Sequence, residues 1–114
     1  MRYLAEREQF GKPLGSLQAL QHRLAESYVW VEALRWTARS AAWHATDEAA
    51  ASAATYAAMA GRHVAAEMHQ LSGAISFTAE YDLHLWTMRA QALRTEMGGI
   101  ATHARALTHL RWAH

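Results

Sequence analysis

Between Ser16 and Gly98 this 114-residue chain contains no proline and only two glycines, Gly61 and Gly73. A stretch of that length without breakers, filled with alanine, leucine, arginine and glutamate, favours helix residue by residue. No Asn-Gly or Asp-Gly pair signals a hairpin, and no sustained period-two alternation argues for strands. The fold class implied is all-α, an up-and-down bundle of mostly antiparallel helices in a single domain spanning residues 1–114.

The breaks divide the chain into helices. A first short helix is predicted over about 2–9, stopping before Phe10-Gly11, because Gly11 tolerates positive φ and Pro13 cannot extend a helix. Ser16 is the candidate N-cap of a second helix running to about Ala45. Its apolar residues Leu17, Leu20, Leu24, Val31, Leu34, Ala38 and Ala41 recur at three- and four-residue steps and form a core stripe. Val29, Ala33, Trp36 and Trp43 form another, so this helix is expected to touch neighbours on two sides. Thr46 or Asp47 caps a third helix to about Leu71, whose alanine-rich faces allow close approach and whose Asp47 and Glu48 suit a helix N-terminus. Ser72-Gly73 ends it, a fourth helix covers about 80–96, Gly98-Gly99 interrupts, and the last helix covers about 101–112.

Composition narrows the function classes. A net charge of +1 with interspersed signs provides no field for nucleic acid or anionic lipid. No apolar run of about 18 residues is available for a membrane helix, and MRYLAEREQ lacks a signal core. With no cysteine, disulfides and thiolate metal sites are excluded, and a soluble cytoplasmic protein is expected. A chain of this length buries roughly 65% of its unfolded surface, enough for one core.

Eight histidines raise the question of a metal. Di-iron bundles use Glu-x-x-His on two helices, and no glutamate here precedes a histidine by three. His63 with Glu67, and Glu80 with His84, share helix faces as solvated i,i+4 pairs, and no His-x-x-x-His points to zinc. No metal site is expected. Neither a Gly-x-Ser-x-Gly elbow nor a phosphate-binding glycine loop occurs. Trp30, Trp36, Trp43, Trp86 and Trp112 are read as core or subunit-interface residues, since indole buries a large area while keeping one polar handle.

Two motifs carry more information. The first is Arg7-Glu8-Gln9-Phe10-Gly11-Lys12-Pro13-Leu14, followed by Leu17-Gln18 and Leu24-Ala25-Glu26. The second is Gln70-Leu71-Ser72-Gly73-Ala74-Ile75-Ser76-Phe77, followed by Glu80-Tyr81 and Arg89. In order and spacing they resemble the C-terminal helical domain of acyl-CoA dehydrogenases, whose patterns are Arg-x-x-Phe-Gly and Gln-x-x-Gly-Gly-x-Gly-Phe. The resemblance implies a bundle whose first helix is truncated here. It also implies a flavoenzyme that dehydrogenates acyl-CoA thioesters across the α and β carbons, with FAD accepting hydride. By that resemblance Arg7, Gln9, Phe10, Leu14 and Gln18 approach the FAD of one site. Gln70, Gly73 and Ala74 approach the FAD of a neighbouring subunit, in a homodimer or tetramer.

The departures from the family pattern are specific. Its second and third glycines are Ala74 and Ser76 here. The family's catalytic glutamate, counted from Arg89, falls on Gly98, and Glu96 takes that place only after a two-residue deletion. No catalytic residue is therefore assigned. Some members take the base from an earlier helix, which here lies upstream of Met1. Two function classes follow from the resemblance. One is the C-terminal part of an FAD-dependent acyl-CoA dehydrogenase, inactive without the other domains and completed by a chain that carries them. The other is a non-catalytic oligomerisation module derived from the same family.

Overall fold

A computed structural model of the protein describes residues 2–78 and 80–113, the side chain of Arg2 excepted. Met1, Ala79 and His114 lie outside the described residues. The elements are α1 (Arg2–Glu6), β1 (Glu8–Gln9), β2 (Lys12–Pro13), α2 (Gln18–His44), α3 (Asp47–Ser72), α4 (Leu83–Glu96) and α5 (Gly99–Trp112), with 3-10 turns at Leu14–Ser16 and Gly73–Phe77.

The long helices follow the sequence reading closely. Thr46 Oγ1 accepts from Ala49 N at 3.2 Å and caps α3, so of the two candidate caps Thr46 is the one used. Ala45 closes α2 in the left-handed region at φ 50°, a position where glycine is the usual choice. Two expectations need correction. Ser16 does not cap α2: Leu17 holds the cap position, and Ser16 Oγ donates to Pro13 O at 2.7 Å instead. The first helix stops at Glu6, because Glu8–Gln9 pairs antiparallel with Lys12–Pro13 in a hairpin that the sequence did not announce.

The connections fix the layout. Arg23 near the start of α2 grips Glu67 near the end of α3, so these helices are antiparallel. Thr87 of α4 meets His69 at the end of α3, and Arg111 of α5 meets Glu48 at its start. Helices α4 and α5 thus run in tandem along α3, opposite to it, with the break at Gly98-Gly99 between them. The result is an elongated body of 60 × 27 × 20 Å with α3 at its centre.

Alanines make the close contacts: Ala51, Ala58 and Ala60 of α3 are buried, with Leu71 and with Leu4 of α1. Between α2 and α4, over α3, the packing stays open. Two apolar cavities of about 280 and 260 Å³ lie there and share Leu34, Gly61 and Ala90. The second apolar stripe of α2 is a further correction. Val29 and Trp36 are each 63% exposed and Trp43 is 86% exposed, so none of the described residues covers that side. Of the five tryptophans Trp30 is half-buried and the others are exposed; it stacks on Tyr56 (5.5 Å) and tilts against His63 (4.7 Å).

Candidate functional site

The Arg7–Leu14 motif is built as a protrusion. Phe10 (φ 57°) and Gly11 (φ 75°) form the two-residue tip, with Glu8 opposite Pro13 and Gln9 opposite Lys12. Two positive φ values match the right-handed twist of the strands they join. For a bulky residue such as Phe10 that conformation is strained, by about 1–3 kcal/mol. Yet Phe10 is 86% exposed and recovers nothing from burial in this chain. Main-chain bonds fix the base: Arg7 N donates to Tyr3 O (2.9 Å) and Leu14 N donates to Arg7 O (2.8 Å). A Cβ at Gly15 would come within 3.1 Å of Leu4 O, so glycine lets the hairpin base close on α1 without a shift. Arg7, Gln9, Phe10 and Gln18 are exposed and Leu14 is half-buried.

The second motif forms the turn after α3. Gly73 adopts φ 63°, ψ −149° and donates its N–H to His69 O. The turn has two faces. Leu71, Ser72 and Ser76 are buried, with Ser76 Oγ donating to Gly73 O at 2.6 Å, whereas Gln70, Gly73 and Ala74 are exposed. Nothing lies within 4 Å of where a Gly73 Cβ would stand, so the outer backbone is open to a ligand.

Hairpin and turn sit at the same end of the molecule, since α2 begins where α3 ends. Helix α1 packs on α3, and Tyr3 of α1 meets Tyr81, just before α4, with ring centroids 5.6 Å apart. The bidentate Arg23–Glu67 pair ties this end together at 2.9 and 3.0 Å. Its hydrogen bonds hold the Glu67 carboxyl below its usual range against the opposing effect of burial, and raise the Arg23 guanidinium. Glu67 is therefore bonded to another helix rather than free beside His63.

Gly98 and Glu96 are not brought to that end. Helix α4 carries the chain about 20 Å away from the turn before reaching them. Gly98 has φ 97°, and a Cβ there would press on Thr102 Cγ2 at 3.3 Å, so its backbone is unsuited to a glutamate. Glu96 is exposed at the last position of α4. Among the described residues no three His, Asp or Glu side chains cluster as a metal would require. Sequence reasoning passed over His69, Thr87 and Tyr3, which brace the turn and α1; the position of His69 directly before Gln70 was the available signal.

The acyl-CoA dehydrogenase C-terminal domain family matches residues 1–109. The chain belongs to the acyl-CoA dehydrogenase family. It is 43% identical over 90 residues to the acyl-CoA dehydrogenase IpdE2 of Mycobacterium tuberculosis, covering 79% of this chain and 28% of that protein. Among solved structures it resembles the ChsE4-ChsE5 complex from Mycobacterium tuberculosis, with a TM-score of 0.88, 32% identity, and coverage of 97% of this chain and 32% of that one. It also resembles a Tcur3481-Tcur3483 steroid ACAD variant, with a TM-score of 0.85, 36% identity, and coverage of 96% and 32%. The acyl-CoA dehydrogenase domain described here thus spans under a third of these relatives' lengths. Among the described residues no helix is long and apolar enough to cross a membrane.

Proposed function

We propose that this domain serves an FAD-dependent acyl-CoA dehydrogenase by lining the flavin site with its hairpin and its Gly73 turn, and that it is inactive alone. The observation that carries the reading is the common placement of the two motifs at one end. Their backbones are bonded inward, while Arg7, Gln9, Phe10, Gln18, Gln70, Gly73 and Ala74 are exposed. Bound FAD supplies the hydride acceptor for α,β-dehydrogenation of an acyl-CoA thioester. Arg7 offers its guanidinium to the diphosphate, and Phe10 and Leu14 supply apolar contact. Gln18 and Gln70 donate hydrogen bonds, and Gly73 with Ala74 offers open backbone. No side chain at Gly98 can take the α-proton, so the base comes from elsewhere in the assembled enzyme. Likeness to a steroid ACAD makes bulky polycyclic acyl-CoAs the first substrates to try.

The surface supports a partnered state. Its accessible area of 8082 Å² exceeds the roughly 6,200 Å² of a compact monomer of 12.7 kDa by about 1,900 Å², more than twice the roughly 800 Å² that one partner contributes to a standard interface. Trp36, Trp43, Trp86 and Trp112 are all exposed, and we assign them to contacts in a cytoplasmic homodimer or tetramer.

The test is to purify the domain with excess FAD and record its visible spectrum, mass and acyl-CoA oxidation with an artificial acceptor. A colourless, inactive oligomer that turns yellow and active with the family's other domains is expected. One charge-assisted contact is worth about 1.5–3 kcal/mol, against about 8 kcal/mol for micromolar binding. Turnover by the chain alone overturns the reading. No gain on mixing favours the non-catalytic module, for which a glycine at position 98, in a backbone unsuited to glutamate, already argues.

A further inference from the structure

His69 occupies the last turn of α3 and contacts both the Gly73 turn and α4. Its carbonyl accepts the N–H of Gly73. Its ring stacks on Phe77 with centroids 5.1 Å apart and 24° between planes. Its Nε2 lies 2.8 Å from Thr87 Oγ1 on α4. A single residue thereby joins the end of α3, the turn and the first half of α4.

The direction of the bond to Thr87 follows from counting protons. A threonine hydroxyl has one hydrogen, and Thr87 Oγ1 is 3.1 Å from Leu83 O and 3.2 Å from His84 O. Those carbonyls have no proton to give, and a hydroxyl that points its single hydrogen between them presents its lone pairs to His69. The ring nitrogen facing it must then carry the hydrogen. Nδ1 is buried without a partner among the described residues. The opposite tautomer would leave a buried N–H unpaired, a costlier defect than an idle lone pair. Both lines select Nε2–H.

We infer that His69, as the Nε2–H tautomer donating to Thr87, is a positioning residue that locks the Gly73–Phe77 turn between α3 and α4. The flavin role of that lock rests on the function proposed above, but the lock itself does not. The effect is transmitted through the backbone: the ring faces inward, and the exposed Gly73 and Ala74 are set by what holds their carbonyls and neighbours. Loosening the ring releases Phe77 and the His69 carbonyl cap together, so the open face of the turn loses its fixed geometry.

The experiment compares H69N, H69Q and T87V. Glutamine carries its amide nitrogen at about the reach of Nε2, whereas asparagine places it near Nδ1 and cannot reach Thr87. In the whole domain, hydrogen exchange at the Gly73 and Thr78 amides is expected to quicken roughly tenfold in T87V and H69N, with much of the protection restored in H69Q. Amides in the middle of α2 and α3 keep their wild-type rates, which separates local loosening from failure to fold. Nitrogen NMR of the imidazole is expected to find Nε2 protonated. A protonated Nδ1, or equal behaviour of H69N and H69Q, overturns the inference. FAD titration of the same variants within the complete enzyme then tests the functional half. Weaker binding in H69N and T87V, rescued in H69Q, supports the flavin role of the turn. Unchanged binding alongside faster exchange overturns that role while leaving the His69–Thr87 lock standing.

Discussion

The two sides of α3 differ in how complete they are. Facing α2, the seam is closed by a bidentate ion pair and by Trp30 packed against Tyr56 and His63. Between α2 and α4, the same helix forms the floor of an open apolar groove around Leu34, Gly61 and Ala90. Both sides are alanine-rich, so composition does not explain the difference. Small residues let one pair of helices approach closely, but they bury little area each, and three helices in a row leave the fourth side bare. Close approach and a finished core are separate achievements, and this domain has the first without the second.

Three substitutions probe that contrast. The largest effect is expected from Ala60→Leu, because Ala60 is 1% exposed at the border of the 260 Å³ cavity, and a leucine reaches beyond that border into the packed helix contact. A loss of about 2–3 kcal/mol should appear as a lower urea midpoint. An unchanged midpoint would mean the seam is no tighter than the groove.

Glu67→Gln should cost about 1 kcal/mol, since the Arg23 side chain is 39% exposed and solvent screens the pair. The dependence on pH has a defined sign. The folded Glu67 carboxyl titrates below its usual 4.5, so its contribution is whole above that value and disappears as pH falls through the lower folded one. Raised Arg23 keeps its contribution throughout that range, losing it only in strong alkali. Stability measured from pH 7 down to pH 3 should fall less steeply at the acid end for Glu67→Gln than for wild type.

Gly61→Ala has the smallest effect and the opposite direction. A Cβ there meets nothing within 4 Å, so the isolated domain should gain about 0.5–1 kcal/mol from helix propensity. In the complete enzyme the gain should shrink or reverse if another helix fills the groove. A gain of equal size in both would show the groove to be open to solvent in each.

The parts legible in the sequence were those set by local chemistry. Thr46 stood where a hydroxyl cap was expected, Gly73 ended α3, and Gly98-Gly99 broke the fourth helix from the fifth. The illegible parts depended on partners distant in the chain. Ser16 looks like a cap by type, but its hydroxyl turns back to Pro13, and nothing local to Leu17 predicts that. The hairpin escaped notice because its first tip residue is phenylalanine, which rarely takes a left-handed conformation. Val29, Trp36 and Trp43 read as a buried stripe by periodicity, which registers amphipathic faces without saying whether the same chain covers them. At the site, the motifs located Arg7 to Gln18 and Gln70 to Ala74, whereas the supports at His69 and Thr87 needed coordinates, since 18 residues separate them.

The 60 × 27 × 20 Å outline has a consequence for how the domain moves in water. A body more than twice as long as it is wide meets more friction per unit mass than a sphere and rotates slowly about its short axes. Two such rods joined lengthwise along their tryptophan-bearing faces would form a stouter particle. Its friction would therefore rise by less than its doubled mass suggests. Lateral association would accordingly lower the frictional ratio, whereas end-to-end association would raise it.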